Sequence, residues 1–424
     1  MNLIELAVAA EAHFQQQSTI QQTTSQCVRT KNKYATCDRC VALCPTGAIR
    51  LDSGLPELTA EQCIKCGVCL HACPVGVFER PDSFQKLLLN TQSMPDHQVV
   101  DIACVHHSAP QTTAPAVDSV VQTKNCLADL GVSAFVGLLA VGVEQVRVRL
   151  DACANCPLRV LQPNIEQCIA ETQQLLSVLG LSDAIVPIYD AQSDWVERPL
   201  HHNENPPMSR RGLFSSLLNP ESALQQRAIN AIDEGDPSEQ LPRERRRLLT
   251  VLRMLTKPYP DIPDELGLFG DGFVQLVASD TCNACGLCER VCPTDAIQVA
   301  KDDEQFMVIF EPHRCIDCNL CIDYCETHAL ETYGAPTLRD VLDETRLKLH
   351  AGQMQQCKRC KAHFAGSPDK TLCPVCRSRR ENPTDVSLPD AVLARLSPAI
   401  REKLRGNADN KPYEGGHFPV DSPN

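Results

Sequence analysis

Short apolar stretches recur four times along the chain, twice in each of two well-separated blocks. They occupy residues 46–51, 75–78, 294–299 and 327–330. Each stretch follows the last cysteine of a cysteine-rich loop, and each has the length of a small strand rather than of a helix. The recurrence predicts an internal repeat of loop, short helical turn and strand, present twice at 27–80 and twice at 275–335.

The region from 97 to 195 alternates strand-like and helix-like patterns instead. Its β-prone runs are 99–103, 117–121, 145–150 and 184–188. Helical patterns lie between the later runs, at 127–141 and 163–179. Strands that alternate with helices predict a small α/β domain with a mostly parallel sheet.

The remaining segments predict connectors and small terminal elements. In chain order they are an N-terminal helix and linker at 1–26, a charged helical linker at 200–270, a ribbon at 354–380, and a helix with a disordered tail at 383–424. The predicted fold class is therefore α+β and multidomain, with two repeat modules, a central α/β domain and a C-terminal ribbon.

The cysteine content is far above ordinary usage. The chain of 424 residues contains 25 cysteines, an odd number rich in C-x-x-C spacings, and it is too long for a small secreted disulfide scaffold. Metal-binding thiolates must stay reduced, so we expect a cytoplasmic location. The net charge of −13 argues against nucleic acid as a partner. The longest apolar run, 132–143, is too short to span a bilayer, and no transmembrane segment is expected.

Four runs of cysteines have the spacing that holds iron–sulfur cubanes. Three are regular, C-x2-C-x2-C-x3-C, and one is stretched at its start to C-x9-C-x2-C-x3-C. The runs are Cys27, Cys37, Cys40 and Cys44; Cys63, Cys66, Cys69 and Cys73; Cys282, Cys285, Cys288 and Cys292; and Cys315, Cys318, Cys321 and Cys325. A cubane needs four thiolates, and one tight loop can supply three of them while a more distant residue supplies the last.

The paired runs resemble the bacterial-type two-cluster ferredoxin over residues 27–80 and 275–335. In that family the fourth cysteine of each run ligates the cluster of the other run. The resemblance implies four [4Fe–4S] clusters, bound by Cys27, Cys37, Cys40 and Cys73; by Cys63, Cys66, Cys69 and Cys44; by Cys282, Cys285, Cys288 and Cys325; and by Cys315, Cys318, Cys321 and Cys292.

Two positions depart from the ferredoxin pattern. Tyr34 stands where the regular first ligand is expected, so Cys27 must reach in across an enlarged loop. If Cys27 does not bind, that site holds a three-iron cluster or is degenerate. Glu326 replaces the usual proline, which removes no sulfur but adds negative charge near one cluster.

Four further cysteines, Cys104, Cys126, Cys153 and Cys156, follow successive strands of the predicted α/β domain. The carboxyl ends of parallel strands share one edge of a sheet, where open α/β folds gather their ligands. The four thiols therefore indicate a fifth metal site, either a cluster or zinc, and the alternative is a set of small buried hydrophobic side chains. Cys168 lies on an apolar helix face and is expected to be such a core residue.

Two cysteine knuckles lie near the C-terminus, at Cys357, Cys360, Cys373 and Cys376. Closed sites of four thiolates with this spacing commonly bind zinc and stabilise small ribbons. We therefore expect a zinc ribbon, and a rubredoxin-like iron site is the alternative.

Electron transfer is the function that these patterns favour. The resemblance implies a polyferredoxin that passes single electrons between clusters and has redox proteins as partners. A ferredoxin module joined to a ribbon is similar to the iron–sulfur subunits of formate hydrogenlyase-type complexes. The motif Ser-Arg-Arg-Gly-Leu-Phe at 209–214 resembles the start of a ferredoxin of nitrate reductase systems. We therefore expect a bacterial molybdenum-type oxidoreductase, such as formate dehydrogenase, as the partner.

Two alternative functions stay open. The chain could be a cytoplasmic assembly or maturation factor for such an oxidoreductase. It could also be an enzyme whose catalytic centre is the central four-cysteine site. No nucleotide-binding or hydrolase fingerprint is present, so an electron-transfer component is favoured over a catalytic subunit.

Overall fold

The structure is a computed structural model. It describes residues 20–33, 35–203, 227, 229–231, 241–258, 267, 268, 270, 272–366 and 369–381. The predicted N-terminal helix, most of the helical linker, Tyr34 and the predicted C-terminal helix and tail lie outside these residues. The chain forms two compact units, of which the first comprises Met1–Thr281, Gly286–Gln298 and Val308–His350, and the second Cys282–Cys285, Val299–Met307 and Ala351–Asn424.

The first module contains two small antiparallel strand pairs, β1 with β4 and β2 with β3. Its elements are β1 (Gln21–Gln22), α1 (Val28–Lys31), α2 (Arg39–Ala42), β2 (Ile49–Arg50), β3 (Glu57–Leu58), α3 (Val68–Ala72) and β4 (Phe78–Glu79). The strand β1 comes from the segment predicted to be a linker. Two glutamines show no apolar alternation, so the sequence carries no sign of this strand.

The central domain contains a five-stranded sheet in the order β11-β7-β5-β8-β9. Its elements are α4 (Phe84–Gln92), β5 (Val99–Ala103), β6 (Thr112–Thr113), β7 (Ser119–Gln122), α5 (Val132–Ala140), β8 (Gln145–Arg149), α6 (Gln162–Ser177), β9 (Ile185–Ile188), β10 (Val196–Glu197), β11 (Leu200–His202) and α7 (Arg243–Thr256). All neighbouring strands of this sheet are parallel, which confirms the prediction. The edge strand β11 comes from the segment predicted to be a helical linker.

Helices cover the central sheet and bury its apolar strands. Every residue of α5 is buried, as expected for a helix that is apolar on all sides. α5 packs against α4, α6 and α7. Gly137 permits this close packing, because an added Cβ would lie 2.9 Å from Leu88 Cδ2 and 3.3 Å from Val251 Cγ1. The sheet is therefore a rigid base for the loops that follow its strands.

The second module repeats the antiparallel pairing of the first, with β12 against β15. Its elements are β12 (Leu276–Ala278), α8 (Leu287–Val291), β13 (Ile297–Lys301), β14 (Gln305–Phe310), α9 (Leu320–Asp323), β15 (Leu330–Thr332), α10 (Leu338–Leu342) and β16 (Leu347–Gln356). In the described part of the chain, no helix combines the length and apolar character needed to cross a bilayer.

The second compact unit contains a hairpin and a terminal helix. The end of β16 pairs antiparallel with β17 (His363–Ala365), and α11 (Pro374–Glu381) follows. The hairpin presents one cysteine knuckle and the start of α11 presents the other. The predicted ribbon is thus a compact two-strand, one-helix element.

The four cysteine runs share one backbone conformation after their last cysteine. The third residue beyond that cysteine has a left-handed φ in every run: 64° at Gly47, 69° at Gly76, 55° at Asp295 and 49° at His328. This turn must be completed before a strand can begin. The four strands accordingly start at 49, 78, 297 and 330 rather than at the predicted 46, 75, 294 and 327. The internal repeat is therefore confirmed, with its strands displaced.

Candidate metal centres

The structure brings together the first predicted set, named here the Cys27 set: Cys27, Cys37, Cys40 and Cys73. The four thiols line one cavity. Cys27 precedes α1 and is buried, so the stretched loop does carry its sulfur to this cavity. Burial raises the pKa of Cys40 to about 12, and the thiols of Cys73, Cys37 and Cys27 contribute to the rise. The cavity therefore offers four sulfurs, as a cubane requires.

The second predicted set, named the Cys44 set, consists of Cys44, Cys63, Cys66 and Cys69. Its thiols line a separate cavity. The pKa of Cys66 is raised to about 11, mainly by burial and in part by Cys63 and Cys44. Cys44 thus joins the three cysteines of the other run, as the ferredoxin resemblance implies.

The third set, named the Cys292 set, consists of Cys292, Cys315, Cys318 and Cys321. These thiols line one cavity. Burial raises the pKa of Cys315 to about 12, and Cys292 and Cys318 add to the rise. The exchange of the fourth cysteine between runs is therefore seen in the second module as well.

The fourth set, Cys282, Cys285, Cys288 and Cys325, stays a prediction from spacing. Cys282 and Cys285 belong to the second compact unit, whereas Cys288 and Cys325 belong to the first. The loop conformation is that of the other regular runs. Left-handed φ values occur on both sides of the second cysteine of each run, at Lys65 and Gly67, at Ala284 and Gly286, and at Asp317 and Asn319.

Backbone N–H groups donate to ligand sulfurs at a recurring position. The amide four residues after the fourth cysteine donates to its Sγ in three runs: Val77 to Cys73 at 3.3 Å, Ala296 to Cys292 at 3.2 Å, and Ala329 to Cys325 at 3.2 Å. Such hydrogen bonds stabilise the thiolate and tune the potential of a bound cluster. The turn after each fourth cysteine therefore has an electrostatic role.

Threonine hydroxyls lie beside the same sulfurs, and sequence reasoning missed them. The Sγ–Oγ1 distances are 3.9 Å for Cys44 and Thr46, 3.8 Å for Cys292 and Thr294, and 3.7 Å for Cys325 and Thr327. The sequence feature that indicates these contacts is the threonine that recurs two residues after the fourth cysteine. The run that ends at Cys73 has Val75 at this position, so its sulfur has no such hydroxyl.

Two buried arginines also lie beside the cluster sites. The Arg80 Nη1 donates to the carbonyl of Lys65 at 2.7 Å, and its guanidinium pairs with Asp129. Arg245 Nη2 donates to the carbonyl of Cys315 at 2.8 Å and stacks 3.9 Å above the ring of Phe273. Both arginines are distant in sequence from the cysteines they adjoin, which is why motif spacing did not reveal them.

The structure also brings together the central set, Cys104, Cys126, Cys153 and Cys156. These thiols line one cavity at the carboxyl ends of β5, β7 and β8. Cys168 instead packs in the core, where its Sγ lies 3.5 Å from the carbonyl of Leu130. The convergence expected from the parallel sheet is therefore present.

The four C-terminal cysteines form a compact metal site. The Sγ atoms of Cys357, Cys360, Cys373 and Cys376 all lie within 4.8 Å of one another. The N–H of Cys373 donates to Cys357 Sγ at 3.3 Å. Backbone N–H groups of Cys360 and Cys373 lower the pKa of Cys357 to about 6. The ribbon thus has four converging thiols that can bind one metal ion. The geometry does not specify which metal.

Comparison with known proteins identifies the two modules. Residues 35–77 and 281–329 match the family described as 4Fe-4S dicluster domain. An uncharacterized ferredoxin of Methanocaldococcus jannaschii is 49% identical over 37 residues, which are 9% of this chain and 24% of that protein. Electron transport protein HydN of Escherichia coli is 45% identical over 40 residues, 9% of this chain and 23% of HydN.

A longer match is weaker in identity. One component of the Na(+)-translocating ferredoxin:NAD(+) oxidoreductase complex of Acetobacterium woodii is 21% identical over 131 residues, 30% of this chain and 36% of that component. The chain thus spans about a quarter to a third of the length of these relatives. The family match, the four repeated runs and the thiol-lined cavities lead to one conclusion: the chain is an iron–sulfur protein with two 4Fe-4S dicluster domains.

Proposed function

We propose that the chain is a polyferredoxin that conducts single electrons through both dicluster modules. A [4Fe–4S] cluster takes up and releases one electron at a time. The four sets of cysteines described above would each hold one such cluster. The observation that carries the proposal is the packing of the first module against the second beside the Cys27 and Cys292 sets.

Polar and apolar contacts join the two modules at this point. Tyr324 Oη donates to Asn32 Oδ1 at 2.8 Å, and Lys31 Nζ donates to the carbonyl of Pro293 at 2.7 Å. A buried cluster of apolar side chains lies between them and contains Val28, Ala35, Ile316 and Leu320. The modules are therefore packed together and not merely tethered.

The ligand thiols of the two sets are close enough to influence one another. The pKa of Cys318 is raised to about 11, mainly by burial and in part by the thiols of Cys292 and Cys37. Cys37 and Cys318 also contact the same buried apolar cluster. Charges interact in this way only over short separations. This proximity supports electron transfer from one module to the other.

The iron content and electron capacity of the reconstituted chain test this proposal. We expect the two modules to contribute about sixteen iron atoms and to accept about four electrons, because each cubane has four irons and takes one electron. Anaerobic iron and sulfide analysis with a reductive titration followed by EPR would measure both. Markedly fewer iron atoms in a chain reconstituted to saturation would contradict the four-cubane count.

We further propose that the ribbon binds zinc. Its four thiols converge as closely as tetrahedral coordination of one ion requires, and closed four-thiolate sites of this kind are commonly structural zinc sites. A Cys360→Ala/Cys376→Ala variant should lose about one zinc per chain and keep its iron. Loss of one iron with the absorption of a rubredoxin-like centre would contradict zinc.

The partner that we propose is a molybdenum-type oxidoreductase such as formate dehydrogenase. The similarity to an electron transport protein and to a component of a redox complex supports a role beside a larger enzyme. Anaerobic purification of the tagged full-length chain should recover such an enzyme in stable stoichiometry, and formate should then reduce the clusters. Absence of any stable oxidoreductase from the purified complex would contradict this partner.

A further inference from the structure

We propose that the central domain binds a fifth iron–sulfur cluster through Cys104, Cys126, Cys153 and Cys156, and that this cluster exchanges electrons with the Cys44 set. The first part stands on the geometry of the central set alone. The second part rests on the proposed function, because it needs a cluster in the Cys44 set.

The central thiols are arranged as in the dicluster sites. All four line one cavity, as the thiols of the Cys44 and Cys292 sets do. The ribbon provides the contrast, since its four sulfurs converge within 4.8 Å as a single ion requires. The central set therefore resembles the dicluster sites and not the ribbon.

Adjacent strands of the sheet hold the four thiols in place. β7, β5 and β8 are neighbours in the sheet, and Cys126, Cys104 and the Cys153–Cys156 turn follow them in that order. After β5 the chain adds β7 on one side of it and then β8 on the other. Open parallel sheets bind ligands in the crevice at such a reversal of strand order. The ligands are thus positioned by rigid elements on three sides.

A backbone amide donates to one central sulfur as in the Cys44 set. The N–H of Leu158 lies 3.4 Å from Cys156 Sγ, two residues earlier, as the N–H of Lys65 lies 3.4 Å from Cys63 Sγ.

Cys168 provides a comparison within the same domain. Its Sγ donates to the carbonyl of Leu130, and it is not among the thiols that line the central cavity.

A buried arginine lines the cavity of the central set. Arg149 donates to Asp151 through two nitrogens, each at 2.8 Å. It also donates to Asp101 at 3.1 Å and stacks 4.3 Å above the ring of Trp195. These contacts fix this wall of the cavity beside the loop that carries Cys153.

Two connections join the central set to the Cys44 set. Asp129, three residues after Cys126, pairs with Arg80, and Arg80 donates to the carbonyl of Lys65 beside Cys66. On the other side, Asn164 Nδ2 donates to the carbonyl of Leu43 at 3.3 Å, directly before Cys44.

The proposed redox step is a simple one-electron exchange. With a cluster in each set, one electron would pass from the Cys44 set to the central set. No bond would break, and all eight thiolates would keep their irons. The electron would come from the redox-protein partner of the proposed function, and dithionite reduces the chain in its place in the test below.

Metal analysis of the full-length chain tests the first part. A Cys153→Ala/Cys156→Ala variant, reconstituted anaerobically, should contain about two or four fewer irons than the wild type, the number reporting a two-iron or a four-iron cluster. Its zinc content should not change. The matched Cys168→Ala variant should keep the full iron content. Loss of one zinc without loss of iron, or no loss of either metal, would overturn the fifth cluster.

The remaining clusters show whether the variant has folded. The EPR signals of the dicluster modules should persist in the double variant. If they do not, Cys104→Ala alone, on a different strand, provides the same comparison of iron content, with circular dichroism as the check on folding. A folded Cys104→Ala chain with wild-type iron would also overturn the fifth cluster.

Spin coupling tests the second part. In the fully reduced wild type, a paramagnetic neighbour should broaden the EPR signal of the Cys44 set, and the Cys153→Ala/Cys156→Ala variant should show a narrower signal. An identical line shape in both chains would overturn the exchange with the Cys44 set. Absence of dicluster signals from the wild type itself would instead contradict the proposed function.

Discussion

At the scale of single residues, groups outside the cysteine motifs shape each cluster site. Backbone amides, threonine hydroxyls and buried arginines all lie beside ligand sulfurs or their carbonyls. Each favours the negatively charged thiolate and the reduced state of a bound cluster. Because the sets differ in these neighbours, their clusters should differ in potential.

Cys27 is the residue whose role the sequence leaves most open. Its sulfur lines the same cavity as Cys37, Cys40 and Cys73, so we expect Cys27→Ala to remove a ligand. The variant should lose about one to four irons per chain, because a cubane without its fourth thiolate loses one iron or the whole cluster. Iron analysis with EPR checks this, and Cys168→Ala is the control. Wild-type iron and EPR would show that Cys27 is not a ligand.

Arg245 should raise the potential of the cluster in the Cys292 set. Arg245→Gln removes a buried positive charge beside Cys315, a coulombic loss on the order of 1–2 kcal/mol. This corresponds to a decrease of about 40–90 mV, since a tenfold change in a one-electron equilibrium is about 59 mV. An EPR-monitored redox titration would measure it. Arg253→Gln, which changes an exposed arginine of the same helix, should leave the potential unchanged, and equal shifts in both variants would contradict the assignment.

At the scale of elements, the cysteine loops depend on left-handed positions and on what lies beside them. Gly67 has a φ of 90°, and an added Cβ there would overlap the carboxylate of Asp129. Gly54 has a similar φ of 86° and no neighbour within 4 Å of an added Cβ. The two glycines therefore separate backbone strain from contact with the central domain.

Gly67→Ala should impair the Cys44 set more than Gly54→Ala does. Both substitutions place alanine in a left-handed conformation, at a cost of about 1–2 kcal/mol. Only Gly67→Ala also displaces Asp129 from Arg80, so it should retain less iron in the Cys44 set. Iron content and the EPR of that cluster, after identical reconstitution, provide the measurement. Equal amounts of iron retained by both variants would show that the contact with Asp129 does not stabilise the Cys44 set.

Helix α7 is held to the end of the first module by a buried ion pair. Arg247 donates to both carboxylate oxygens of Asp82, at 2.7 Å and 3.1 Å. Burial alone would raise the pKa of Asp82, but Arg247 and Arg243 outweigh it and hold the pKa below its ordinary value. The ion pair therefore stabilises the folded chain above the unfolded pKa of about 3.9. This contribution is lost as the pH falls through the lower pKa of the folded state.

Asp82→Asn should therefore destabilise the chain at neutral pH and matter less in acid. We expect a loss of about 1–3 kcal/mol at pH 7, as for hydrogen bonds to charged groups. Anaerobic thermal unfolding at several pH values would show the gap between wild type and variant closing below about pH 4. The exposed Asp52→Asn is the control and should show no gap. A gap that stays constant into acid would contradict the ion pair as its source.

At the scale of the whole molecule, local patterns predicted the parts. Ligand spacing predicted four cluster runs, and the turn residues after Cys44, Cys73, Cys292 and Cys325 displaced the strands by three positions only. Apolar runs between helical segments predicted the parallel sheet, and with it the convergence of the central cysteines. These features depend on residues that are close in sequence or on general rules of sheet topology.

Contacts between distant segments could not be predicted from one sequence. Arg80 and Asp129 are 49 positions apart, and Tyr324 and Asn32 are 292 positions apart. No periodicity or spacing records such a pair. The polar strands β1 and β11 were not predicted for a related reason. They are strands because they pair with β4 and β7, and their own composition does not indicate it. The order of the cluster sites along an electron path therefore required the structure.

The central claim is that the clusters of the two modules form one path where the modules pack together beside the Cys27 and Cys292 sets. EPR of the fully reduced chain tests it most directly, by comparing the wild type with a Cys315→Ala/Cys318→Ala variant. Loss of the cluster in the Cys292 set should narrow the signal of the Cys27 set, whereas the ribbon variant Cys360→Ala/Cys376→Ala should leave that signal unchanged. A signal of the Cys27 set that is identical with and without the neighbouring cluster would contradict the path.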